Sequence, residues 1–203
     1  MRLAVLGPAD GDLAALACAV SASLERLRAD QVVYLGVDGA LDEVTAEWAR
    51  VLGVEAPLDE RLATDRGLLD DPAEEIAAEV ERERARRRLG MLRALPGPGL
   101  RALEILNDRV VILVDDKAIL DEEDLLPATV IVFGKGDPLI RRIGSRTFAS
   151  PGNVHKRSEG VLVLDEAEGA SIVVSLHDVD GAEIMRDLVD TARTAKLRVH
   201  GAV

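Results

Sequence analysis

Aromatic side chains are scarce: one tryptophan, one tyrosine and two phenylalanines make up 2% of the chain. The core therefore has to be built from Leu, Val, Ile and Ala, and 48% hydrophobic content over 203 residues is enough to make it sizeable. The single cysteine, Cys18, excludes an internal disulfide. Set among Leu16, Ala17, Ala19 and Val20, it reads as a small buried residue rather than a reactive thiol. No apolar run reaches the ~20 residues of a membrane span. Met1-Arg2 leads straight into a strand pattern instead of a signal peptide, so a cytoplasmic protein without membrane insertion is expected.

Positive charge is also short. Lys and Arg number 25 against 37 Asp and Glu, a net charge of −12, and such a surface repels phosphate backbones, so no nucleic-acid partner is expected. Only three histidines occur, and none is paired with another His or Cys at ligand spacing, which argues against a zinc site. There is no Gly-x-Ser-x-Gly elbow and no Gly-x-Gly-x-x-Gly. Gly134-Lys135-Gly136 lacks the upstream glycine and the following Ser or Thr of a P-loop.

What the chain does contain is an alternation of strands and helices. Leu3 to Leu6 is a short apolar run stopped by Gly7-Pro8, and Asp12 then precedes Leu13, Leu16, Val20, Leu24 and Leu27 at helical spacing. Val32 to Leu35 is a second buried strand. An acidic turn follows, then a helix placing Val44, Trp48 and Val51 or Leu52 on one face. Strand, helix and strand at this length imply parallel pairing, with ligands expected beyond the carboxyl ends of the strands, where Asp10, Asp38 and Asp115 fall. From Arg109 onward, Val110 to Val114, Thr129 to Phe133, Thr147 to Ala149, Val161 to Leu164 and Ile172 to Leu176 are β-rich, and a second sheet stacked on the first is expected. In the tail, Ile184, Leu188 and Ala192 sit at helical spacing, and Lys196 to His200 alternates like an edge strand.

Four stretches taken together carry a resemblance. They are Leu3-Ala4-Val5-Leu6-Gly7-Pro8-Ala9-Asp10, Val32-Val33-Tyr34-Leu35-Gly36-Val37-Asp38, Gly134-Lys135-Gly136-Asp137 with the run to Gly144, and Ser150-Pro151-Gly152-Asn153-Val154. In pattern and order they resemble the calcineurin-like metallophosphoesterases, in particular the small bacterial phosphodiesterase branch, over residues 1–40 and 105–177. The resemblance implies an α/β fold, a four-layer α/β/β/α sandwich with two stacked mixed sheets. One domain would span 1–203, with a family-divergent helical segment at about 53–100.

The resemblance also implies two divalent metals that share a bridging carboxylate, activate water and clamp a phosphate. The family's Asp-x-His reads here as Pro8-Ala9-Asp10, its Gly-Asp as Gly36-Val37, its lone strand-end His falls on Asp115, and Gly-His-x-His reads Gly134-Lys135-Gly136-Asp137. Its Gly-Asn-His segment has no counterpart; Gly53-Val54-Glu55 is the nearest stretch. Pro8 and Val37 carry no ligand atom, so no such two-metal centre, no catalytic residue and no cofactor is expected.

Three aligned positions keep carboxylates: Asp10, Asp115 and Asp137. In one reading Lys135 neutralises them, turning a metal site into a salt-bridge network, or they are simply solvated. In the other they hold one hard divalent cation such as Mg, Mn or Ca, with Asp12, Asp38 and Asn153 adding oxygen ligands. Asp12 and Asp38 are equally explained as a helix cap and a turn residue. His155, the only histidine near this pocket, reads as a surface or turn residue.

Residues 53–100 depart most from the family, and within them the segment from about Asp70 to Leu95 is where function is expected. Asp70-Asp71-Pro72 starts a helix with Ala73, Ile76, Ala77 and Val80 as an apolar stripe that resumes at Leu89 and Leu92. Between them lies the densest basic run, including Arg84, Arg86, Arg87 and Arg88. Glu83 and Arg87 stand four apart, as in a solvated helix held by side-chain pairs; alternatively the run is an arm for a protein partner or for self-association. Pro96-Gly97-Pro98-Gly99 ends it as a turn. The leading expectation is a catalytically degenerate scaffold or regulatory protein-binding module. The alternatives are a divergent metal-dependent phosphoesterase, and a sensor with a small ligand in the vacated pocket.

Overall fold

The computed structural model describes residues 1–53 and 72–189. Its organising strand is β1 (Arg2–Leu6). Leu3 and Val5 point into one apolar core, Ala4 and Leu6 into another, and all four are fully buried. A strand enclosed on both faces needs the unbroken apolar run that Leu3 to Leu6 supplies.

Two mixed sheets are built around it. The first has the order β11 (Glu183–Val189), β10 (Ser171–His177), β9 (Val161–Ala167), β1, β2 (Gln31–Tyr34), β3 (Leu92–Ala94). β1, β2 and β3 run parallel, and β9, β10 and β11 add antiparallel neighbours. The second has the order β4 (Arg101–Leu106), β5 (Arg109–Val114), β6 (Ala128–Phe133), β8 (Arg146–Ser150), β7 (Leu139–Ile143), with β5, β6 and β8 parallel. The sheets face each other across Leu3, Val5, Leu113, Val132, Leu162 and Val174, an aliphatic core without an aromatic ring. α1 (Leu13–Glu25) and α2 (Ala40–Leu52) cover the free face of the first sheet, and α3 (Ala73–Leu89) lies against α2. Among the described residues the far face of the second sheet carries only the short α4 (Glu122–Leu125) and a single turn at Lys117–Ile119. That fourth layer is thin, and Leu103 and Ile105 stay exposed.

Several expectations change. Glu183–Val189 is a strand and not part of a tail helix. Ile184 and Leu188 are four apart, a spacing that puts them on one helix face but equally on one strand face, and pairing with β10 selects the strand. Ala192 and Lys196 to His200 lie outside the described residues, as do Asp70 and Asp71. The α3 stripe stops at Leu89, because Gly90 caps the helix and Leu92 enters β3. Cys18 is exposed, on the outer side of α1. Val161 to Leu164 and Ile172 to Leu176 join the first sheet and not the second.

At the carboxyl end of β1, Gly7 N–H donates to Gly160 O at 2.9 Å and Gly160 N–H to Pro151 O at 2.8 Å, tying the strand end to the Pro151-Gly152 turn. Gly160 has φ +114°, and a Cβ there would lie 2.6 Å from Val154 Cα. Gly160→Ala is expected to lower unfolding free energy by about 1–3 kcal/mol in urea titrations. Gly144→Ala, also at positive φ but in open space, should cost only about 1 kcal/mol.

Candidate functional site

The parallel strands β1, β2, β5 and β6 all deliver their carboxyl ends to one side of the molecule. There Pro8, Asp10, Val37, Asp38, Asp115, Lys135 and Asn153 line a cavity of about 440 Å3, together with Gly36, Gly134 and Gly136. Seven of the nine pocket positions read from the sequence thus come together. Asp137 does not: its side chain is 92% exposed and turns to Lys156 Nζ at 3.5 Å. His155 stays at the rim, its Nδ1 3.4 Å from Asp10 Oδ2.

Main chain packs directly on main chain next to the pocket, between the loops that carry Pro8 and Asn153. A Cβ on Gly7 would fall 1.8 Å from the carbonyl oxygen of Gly152, so the two loops approach as only glycine allows. Backbone bonds join the other two strand ends: Gly134 N–H and Lys135 N–H both donate to Asp115 O, at 3.0 and 2.8 Å.

The carboxylates already have partners. Lys135 Nζ stands 3.1 Å from Asp115 Oδ2 and 3.5 Å from Asp116 Oδ2, and the hydrogen bond to Asp115 raises the lysine's pKa above its ordinary value. Asp116 is held below the usual carboxylate range, first by the Ala118 N–H it accepts and then by Lys135. Asp10 accepts from Asn153 Nδ2 at 2.5 Å. Lys135 is itself 59% exposed, so it balances the buried Asp115 from the solvent side rather than as a sealed pair.

Asp12 and Asp38 act locally. Asp12 accepts from Ala15 N–H at 2.9 Å as the cap of α1. Asp38 accepts from Ala40 N–H at 3.1 Å and from the Tyr34 hydroxyl at 3.0 Å. Tyr34 is fully buried and its hydroxyl also accepts from Ala9 N–H at 2.9 Å, which joins the loops after β1 and β2. Burial first, then Asp38, pushes its pKa upward.

Sequence reasoning missed this tyrosine as a site residue, although a lone Tyr inside an aliphatic strand signals a buried hydroxyl that needs partners. It also missed Glu159, buried, which accepts from Asn153 N–H at 3.0 Å and pairs with Lys156 at 3.1 Å. That bond to Glu159 raises the pKa of Lys156.

A two-metal centre does not fit this donor set. Pro8 and Val37 offer no ligand atoms, Asp137 points away, and among the described residues no group of three or more His, Cys, Asp or Glu is placed to hold a metal ion.

The basic run sits elsewhere, on α3. Arg84 and Arg87 are exposed and Arg88 is about half exposed, whereas Arg86 is folded inward at 15% exposure, donating to Leu52 O at 3.1 Å. Glu83, expected on a solvated face, is buried and takes Arg87 Nε at 3.2 Å. Leu24, Trp48, Val51 and Leu89 line an apolar groove of about 260 Å3 between α1, α2 and α3, with Arg88 at its edge.

Against known proteins, no family model and no curated protein matches the chain. Solved structures do. A conserved uncharacterized protein of Streptococcus pneumoniae, described as a predicted phosphoesterase, is similar at 11% identity and TM-score 0.48, over 93% of this chain and 97% of the other. Vps29 of Chaetomium thermophilum is similar at 13% identity and TM-score 0.47, over 93% of both chains.

Tyr34→Phe removes one donor to Asp38 and leaves the Ala9 N–H unpaired. It is expected to lower stability by about 1–3 kcal/mol in chemical denaturation, the cost of an orphaned buried donor.

Proposed function

We propose that the chain is a cytoplasmic, phosphoesterase-like protein that performs no catalysis in its strand-end pocket and works by binding another protein, as a scaffold or regulator. One observation carries this reading: an ammonium of the chain itself, Lys135, engages the pocket's buried carboxylate, Asp115. Asp10 is engaged by Asn153 and His155, and the position aligned with the bridging carboxylate is Val37, so neither water activation nor phosphate clamping has its ligands. The binding surface is the exposed part of the α3 basic run, Arg84, Arg87 and Arg88, beside the Trp48 groove. Of the run, Arg88 lines the apolar groove together with Glu25, and Arg84 and Arg87 continue the basic surface along α3, which suits a protein partner with an apolar anchor and acidic residues beside it.

A second reading rests on Asp10, Asp38 and Asp115 lining one cavity. There the protein is a divergent phosphoesterase with one hard divalent cation on at most two of these carboxylates and on water, since among the described residues no three such groups are placed on one ion.

Purified protein titrated with Mg2+ and Mn2+ and assayed on an aryl phosphodiester separates the two. No stoichiometric binding and no hydrolysis are expected, and Val37→Asp alone should remain inactive because a bridging carboxylate without its flanking ligands assembles no centre. Metal-dependent hydrolysis abolished by Asp115→Asn would establish the second reading instead. Reversing Arg84 and Arg88 to Glu should leave the melting temperature nearly unchanged, since their partners Glu81 and Glu25 are exposed and such pairs contribute little. The same variant should lose partner capture in a pull-down.

A further inference from the structure

A second polar constellation lies on the helix-covered face of the first sheet, away from the strand-end pocket. Ser175 and His177 are two apart on β10 and therefore share a face. They are buried, at 4% and 6% exposure, and Ser175 Oγ stands 2.9 Å from His177 Nε2. His177 Nδ1 lies 3.2 Å from the Gly181 carbonyl oxygen. A carbonyl only accepts, so Nδ1 carries the proton, Nε2 presents its lone pair, and the serine hydroxyl donates to it.

The orienting carbonyl is itself fixed. Asp178 Oδ1 accepts from Asp180 N–H at 3.0 Å and from Ala182 N–H at 2.8 Å, and Gly181 N–H donates to Asp178 O at 3.0 Å, locking the turn. Nucleophile, base and orienter are thus in the order and at the distances of an activated serine. The pair opens on a cavity of about 150 Å3 whose wall includes Arg186. Arg186 is the register partner of Ser175 across β11, so the two side chains project together. Its guanidinium is 3.8 Å from Glu183, too long for a hydrogen bond, and has donors to spare.

We propose that Ser175, His177 and Arg186 form a serine esterase site for short-chain carboxylic esters, independent of the strand-end pocket. Ser175 Oγ attacks the ester carbonyl carbon while its proton passes to His177 Nε2, and the oxyanion faces Arg186. Collapse breaks the carbon–oxygen bond to the alcohol, which leaves with the proton from His177. Water then adds to the acyl-serine, His177 takes its proton and returns it to Ser175, and the carboxylic acid departs. The small cavity limits the acyl group to a few carbons.

The full-length protein is treated with a short-chain alkyl fluorophosphonate and followed by intact mass and peptide mapping. One adduct per chain on Ser175 is expected, none with Ser175→Ala, and labelling about 10²–10⁴-fold slower with His177→Gln. The wild-type rate against pH gives a readout that needs no variant to fold. Burial holds His177 below its ordinary pKa; Glu183 and Asp178 oppose that, Arg186 adds to it, and Arg26 with the Arg2–Asp165 pair complete the surrounding charges. Labelling should therefore fall only below the ordinary histidine range and be level at neutral pH. Folded wild-type protein that gives no adduct, or one mapped away from Ser175, overturns the proposal and leaves the pair as a core hydrogen bond. Because neither Asp115 nor Lys135 takes part, this outcome does not bear on the strand-end pocket.

Discussion

The burial of β1 on both faces constrains the rest of the molecule. Its alternate side chains serve two cores at once, Leu3 and Val5 between the sheets and Ala4 and Leu6 beneath α1 and α2. A slip of one residue against β2 or β9 would exchange the two sets and misfit both cores. The register is therefore fixed, and with it the position where the strand ends at Gly7-Pro8. Tyr34 then ties the next loop to this one through Ala9 and Asp38. The pocket follows from strands whose ends are held in place by packing elsewhere.

Electrostatics then decides what such a pocket does. A buried carboxylate needs a counter-charge or a raised pKa. Asp115 has its counter-charge within the same chain, on a flexible lysine reaching in from solvent. A divalent cation placed beside Asp115 would have to compete with that ammonium. On the helix-covered face of the first sheet, Ser175 and His177 form a buried hydrogen-bonded pair beside a wall of mixed charge, with Arg2, Arg26 and Arg186 set against Asp165 and Glu183.

The layered α/β architecture was legible because buried parallel strands leave unbroken apolar runs, and Leu3 to Leu6, Val32 to Leu35 and Val110 to Val114 are such runs. The site was legible where it sits at strand ends: Asp10, Asp38 and Asp115 follow from that position, and Lys135 from the resemblance carried by Gly134-Lys135-Gly136-Asp137. Edge strands were the harder case. β11 has six exposed residues out of seven, and β4 alternates against its polarity, with Leu103 and Ile105 outward and Glu104 inward, so neither reads as a strand with an apolar inner face. Burial of charge was also hidden. Glu83 and Arg86 read as solvent-facing by type, and only the packing of α3 on α2 turns them inward. Cys18 erred the other way, since a neighbourhood of Leu and Ala in sequence is not a neighbourhood in space.

The contact between Gly7 and the Gly152 carbonyl separates architecture from chemistry. With peptide groups meeting directly, any larger residue at Gly7 would force the two loops apart. The pocket beside them is lined by three further glycines, Gly36, Gly134 and Gly136, while Pro8, Asp10, Val37, Asp115 and Lys135 supply its side chains. The shape of such a pocket is set largely by main chain, and its chemistry by a few side chains that the main chain carries.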